Sequence, residues 1–222
     1  MQIKPSDAAH AAAAIKAAEA RTDGEVQAFV AAASDSYAEV PLHYALLVAL
    51  LPLALSAAFP IVLERAARLV HPGWEEPSQR FLLTVLLVVT ALVFLAGRYL
   101  FGLQAVRMAL TPAATKHRRV HRRALMLFRA AIEQRTASTT GVLLYLSLAE
   151  HRAEIVADAA IHSRVDDSEW GEAMAVLLTH VKDDRPGDGI AAAIEKIGDV
   201  LEAHLPRTGT DPNELPDRLI LL

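Results

Sequence analysis

Two long uncharged runs interrupt an otherwise mixed pattern of polar and apolar positions. Residues 41–63, PLHYALLVALLPLALSAAFPIVL, contain no Asp, Glu, Lys or Arg. A run of that length crosses the roughly 30 Å hydrocarbon core of a bilayer as a helix. Residues 81–103, FLLTVLLVVTALVFLAGRYLFGL, are uncharged as far as Arg98, whose long side chain can reach an interface beside Tyr99. A core helix of a small soluble domain seldom goes so far without a charge, so both runs are expected to be transmembrane helices. Pro52 and Pro60 fit that reading, because neighbouring groups within a membrane can satisfy the carbonyls that proline frees. The link at 64–80 is too short for a domain and holds a Pro72-Gly73 turn signal and an interfacial Trp74.

The flanks of the hairpin differ from it in pattern. Residues 1–40 carry an alanine-rich helix, capped by Ser6 and running to about Arg21, then a Thr22-Asp23-Gly24 turn. Glu25 to Val30 follow with the polar and apolar alternation of a half-buried strand. One weakly apolar helix and one strand cannot close a core, so their partners must lie in residues 104–222. There a basic helix at 104–136 is bent near Thr111-Pro112 and leads to a turn at Ser138 to Gly141. GVLLYLSL at 141–148 is a continuous apolar run of strand length, expected in the middle of a sheet with both faces covered. Glu150-His151 then reads as a tight turn into a third strand, residues 152–158, making a hairpin.

Two amphipathic helices come next. One starts near Asp166 or Asp167, where Asp166 and Glu169 have capping-box spacing. The other follows Pro186-Gly187, with Ile190, Ile194, Ile197 and Leu201 on one stripe. A turn-rich segment then ends in Leu219-Ile220-Leu221-Leu222, which is expected to dock on the domain. The chain therefore reads as one soluble α/β domain split by a two-helix hairpin.

Charge sets the orientation. Arg21, Arg107, Lys116, Arg118, Arg119, Arg122 and Arg123 flank the outer ends of the two spans, against Arg65, Arg68 and Arg80 in the link. The positive-inside rule then places both termini in the cytoplasm and the hairpin tip outside the inner membrane. Residues 1–21 lack the apolar core of a secretory signal. The absence of cysteine excludes disulfides, thiolate metal sites and a cysteine nucleophile.

Three segments, AEARTDGE at 18–25, GVLLYLSLAEHRAEIVADAAI at 141–161 and NELPD at 213–217, together resemble the TPM-domain family, in its bacterial membrane branch. The resemblance implies an α/β fold, a TPM-type sandwich of helices around a small β-sheet, with the hairpin as an insertion. It also implies a menu of activities: acid phosphatase, divalent-cation binding, or assembly and repair of membrane complexes. This chain departs from the commoner family architecture of an exported domain with a tail anchor. Its Ala157-Asp158-Ala159-Ala160-Ile161 replaces a glycine-rich stretch found in many members.

With no thiolates, any metal site would use oxygen ligands, and carboxylates at strand ends are the geometric candidates for Ca²⁺ or Mg²⁺. Asp35, Glu150 and Asp158 fit that description. His117 and His121 share a helix face at a spacing seen in zinc sites, but the glutamate of that motif is missing and arginines surround them. A membrane-proximal basic helix is the better reading. No P-loop, GxGxxG or GxSxG occurs, Ser147 sits in an apolar strand rather than on an elbow, and no aromatic interleaving marks a nucleic-acid surface. The expected partners are the lipid bilayer and another membrane protein, with no nucleic acid. The expected function is an interaction or assembly module of an inner-membrane complex. The alternative is a divalent-cation-dependent phosphatase acting on phosphomonoesters, and the sequence leaves open whether the chain is an enzyme.

Overall fold

The computed structural model describes residues 3–70, 76–132, 140–166, 168–208 and 215–222. In chain order the elements are α1 (Pro5–Glu19), β1 (Glu25–Ala31), α2 (Glu39–Ala58), α3 (Pro60–Val70), α4 (Gln79–Gly102), α5 (Gln104–Leu110) and α6 (Ala113–Ala131). There follow β2 (Gly141–Ser147), β3 (Arg152–Ala157), α7 (Ala159–His162), α8 (Gly171–Lys182), α9 (Pro186–His204) and β4 (Ile220–Leu221). They form two compact units, one of Met1–Asp35 with Ala113–Leu222 and one of Ser36–Pro112.

The first unit is built on a sheet of order β3-β2-β1-β4. β1 runs parallel to β2, from Glu25 beside Gly141 to Ala31 beside Ser147, and β4 lies parallel to the end of β1. β2 and β3 form the expected antiparallel hairpin. Alternation along β1 and β2 divides the core in two. Val26, Ala28, Val30, Leu144 and Leu146 pack with Ile15 of α1, Leu177 of α8 and the Ile190, Ile194, Ile197 and Leu201 stripe of α9. Phe29, Ala31, Leu143 and Tyr145 pack on the other face with Val120, Ala124 and Phe128 of α6. The result is the helix–sheet–helix sandwich that α/β layering demands.

β1 corrects the expectation of a half-buried strand, since every residue of it is buried. The polar members of its alternating pattern are covered by the segment that leads into β4. Glu25 Oε2 accepts the Leu215 N–H at 3.3 Å, and Gln27 Nε2 donates to the Arg218 carbonyl at 2.9 Å. A buried polar side chain needs such partners, and here main-chain groups from a distant segment supply them.

Local signals shifted slightly. α1 begins at Pro5, and Asp7 rather than Ser6 completes its cap by accepting the Lys4 N–H at 2.9 Å. Glu169 does reach back to the Asp166 N–H, at 3.2 Å, but α8 itself starts at Gly171. The Pro112 break separates α5 from α6 as the missing donor requires. Pro72-Gly73, Trp74, residues 133–139, Asp167 and residues 213–214 lie outside the described residues.

In the second unit, α2 and α4 pack along Ala45, Ala49 and Gly97, where a Cβ on Gly97 would lie 3.4 Å from the Ala45 Cα. Tyr44 and Phe101 add a ring contact with centroids 5.8 Å apart. The first apolar run is two helices rather than one, because α2 ends at Ala58, Phe59 leaves the helical conformation and Pro60 opens α3. α2 and α4 are each long and apolar enough to cross a membrane. Leu47, Leu51, Leu87, Leu92 and Leu95 all face outward and are exposed.

Candidate functional site

Parallel pairing of β1 and β2 brings the ends of both strands to one end of the sheet, where Asp35 and Glu150 are found. Glu150, in the turn after β2, is buried. Its Oε1 accepts the Ser34 N–H at 2.9 Å and its Oε2 accepts the Ser147 hydroxyl in a short hydrogen bond. The Tyr145 hydroxyl and Ser34 Oγ share a further bond of 2.9 Å. Burial pushes the Tyr145 phenol above its ordinary range. Asp35 is more open and pairs with Arg119 at 2.9 Å.

Asp158 is at the opposite end. β3 runs antiparallel to β2, so its last residue returns to the start of that strand, where Asp158 Oδ2 accepts the Gly141 N–H at 2.9 Å. Of the three carboxylates expected at a Ca²⁺ or Mg²⁺ site, Asp35 and Glu150 thus share one end of the sheet, and strand direction puts Asp158 at the other. Among the described residues no group of three or more His, Asp or Glu side chains is arranged to hold a metal ion. The same reversal parts Ser147 from Asp158. His117 and His121 do share a helix face, and each places Nδ1 3.3 Å from a different oxygen of Glu154 on β3.

A second polar pocket, of about 210 Å³, opens at the start of β1 between Lys16, Glu19, Asp23, Glu25, Arg207 and Asp217. Glu19, the last residue of α1, turns its Oε1 to the Val26 N–H at 3.0 Å. Burial, with lesser contributions from Glu25 and Asp217, raises its pKa to about 8, and its hydrogen bond to Asp217 needs the proton. Neutral Glu19 therefore ties the segment carrying Asp217 to the end of α1. In sequence Glu19 and Glu25 bracket the Thr22-Asp23-Gly24 turn, which is a visible signal. Asp217 joins them only through the fold.

The upper and lower ends of the sheet thus hold two buried polar networks. Both tie distant chain segments together, and neither matches a hydrolytic or metal-binding constellation.

Comparison with known proteins agrees with this fold. The family model described as the TPM domain matches residues 105–200, from α5 through most of α9. No curated protein matches the chain. Among solved structures, the NMR structure of the BA42 protein from the psychrophilic bacterium Bizionia argentinensis is similar at a TM-score of 0.56 and 16% identity. It covers 100% of this chain and 97% of that one. At that identity the likeness speaks for the fold alone. Residues 105–200 thus match the TPM-domain model, and the mixed α/β sandwich is consistent with a TPM-type fold.

Proposed function

We propose that this chain is a membrane-anchored interaction module, in which the α2–α4 hairpin sits in the inner membrane and the TPM domain binds another membrane protein as part of an assembly. The observation that carries the reading is the apolar exterior of α2 and α4, where Leu47, Leu51, Leu87 and Leu95 face outward. A contiguous apolar surface of that kind needs lipid or a partner to cover it. The sandwich, by contrast, uses its buried polar groups to hold itself together.

The chain has no native cysteine, so single introduced thiols report topology cleanly. Glu76→Cys is expected to react with an impermeant maleimide from outside the cell, and Arg164→Cys only after the membrane is opened. The reverse pattern overturns the orientation, and a chain that washes off membranes at high pH overturns the anchoring. For the module itself, purification in mild detergent should yield a stoichiometric membrane-protein partner, lost when the sandwich is deleted. Glu19-dependent release of phosphate from p-nitrophenyl phosphate would instead make the pocket at the start of β1 a catalytic site.

A further inference from the structure

The two edges of the sheet are finished differently. On the β1 side the chain closes its own edge: β4 pairs with Phe29 and Val30, and Glu19 takes the Val26 N–H. On the β3 side it does not. The Glu25 N–H donates to the Thr140 carbonyl and the Leu148 N–H to the Ala31 carbonyl, which turns the even-numbered residues of β2 toward β1. Gly141, Leu143, Tyr145 and Ser147 consequently face β3, in agreement with the Asp158 N–H donating to the Gly141 carbonyl. Arg152, Glu154 and Val156 bond back across that ladder. The main-chain N–H and C=O groups of Ala153, Ile155 and Ala157 therefore point away from the sheet.

Among the described residues, no main-chain bond reaches those outward groups. β3 carries the charges of Arg152 and Glu154 but no proline, and its register with β2 is unbroken. It forms the floor of a groove of about 660 Å³. Trp170, Met174 and Leu178 make an apolar wall on one side, and His117 with Glu154 a polar wall on the other.

We propose that this groove takes an extended segment of a partner protein as an added strand, bonded to the outward main-chain groups of Ala153 and Ile155. Period-two geometry gives such a segment one row of side chains against Trp170, Met174 and Leu178, so those residues should be apolar. The other row faces α6. His117 and His121 pair with the Glu154 carboxylate there, and Arg118 and Arg122, each one position further along, are exposed and make the outer face of α6 positive, so the second row should be acidic. The same charges disfavour a second copy of this chain, because antiparallel pairing of two β3 edges would set two arginine-bearing α6 helices side by side on one face. The inference rests on the interaction-module reading and names its docking edge.

The test uses the full chain in detergent, titrated with the capped heptapeptide DVEIDVE and with KVKIKVK as its reversed-charge control. The amides of Ala153 and Ile155 are expected to exchange freely with solvent in the unbound chain and to become at least tenfold protected on adding the acidic peptide. The basic peptide should bind at least tenfold more weakly. Ala153→Pro removes one outward donor and keeps the ladder to β2, so it should lose peptide affinity at least tenfold while retaining the parent melting temperature to within a few degrees. Leu178→Asp, which alters only the apolar wall, should weaken binding to the same degree. The inference is overturned if the two amides are already protected in the monomer, if protection grows with protein concentration alone, or if the acidic peptide binds Ala153→Pro and Leu178→Asp as tightly as the parent. A stoichiometric membrane-protein partner that still binds Ala153→Pro would leave the module reading standing and remove only this edge.

Discussion

Glu19 accepts the Val26 N–H at 3.0 Å, so a carboxyl at the end of α1 occupies a position on the edge of β1 that a neighbouring strand would otherwise fill. β4 reaches only as far as Phe29 and Val30, and the edge beyond it still has a donor to satisfy. Burial, with Glu25 and Asp217 adding to it, favours the neutral carboxyl in that pocket, although the Val26 hydrogen bond by itself favours the charged form.

Stability should follow from that arrangement. Burial holds Glu19 at about 8 in the folded chain against 4.5 for the free side chain, so the folded state binds more protons between those values. The stability contributed by neutral Glu19 is fully present below pH 4.5 and is lost as pH rises through about 8. Glu19→Gln keeps an acceptor for Val26 and a donor for Asp217 without the ionisation. Melting curves from pH 5 to 9 should show the parent losing stability relative to this variant, with the gap widening toward pH 8. A constant gap would exclude Glu19 as the titrating group.

Removing Glu150 should be costly for a different reason. Glu150→Ala leaves the buried Ser147 hydroxyl and the Ser34 N–H without their acceptor, and each such loss costs about 1–3 kcal/mol. A destabilisation of about 2–4 kcal/mol is expected in thermal or urea unfolding, with Glu150→Gln recovering much of it. A neutral result would mean that water replaces the carboxylate.

The packing of α1 on α9 offers a steric test. A Cβ on Gly187 would lie 2.4 Å from the Cβ of Asp7, and this contact involves no flexible chain end that could swing away. Gly187→Ala should therefore destabilise the sandwich by about 1–3 kcal/mol, although alanine is ordinarily the better helix former. Unfolding transitions of the two chains, compared under one set of conditions, would show it.

Divalent cations provide a check on the carboxylates at the strand ends. Asp35 and Glu150 lie at one end of the sheet and Asp158 at the other, bonded to Gly141. Calorimetric titration of Ca²⁺ and Mg²⁺ into Asp35→Asn, Glu150→Gln and Asp158→Asn should show no binding event common to all three. A single site weakened by each substitution would require a rearranged hairpin.

Much of the architecture was legible in one dimension because its causes are local. The uncharged runs around Leu47 and Leu87, the stripe of Ile190, Ile194, Ile197 and Leu201, and the apolar run of β2 all follow from the periods of helix and strand. The Glu150-His151 turn marked the hairpin for the same reason, and His151 indeed takes a φ of 47° there. Tertiary structure alone decided which distant residues meet. It set β1 between β2 and β4, and so turned Glu25 and Gln27, which read as a solvated face, into buried anchors for residues 215–218. The separation of Asp158 from Glu150, by contrast, already followed from that hairpin, since an antiparallel return puts the end of β3 at the start of β2. Tertiary structure also brought Asp217 to Glu19 and, among the described residues, left the β3 edge without a neighbouring strand. Hydrophobic periodicity depends on neighbours a few positions away, whereas pairing, burial of polar groups and open edges depend on contacts across the chain.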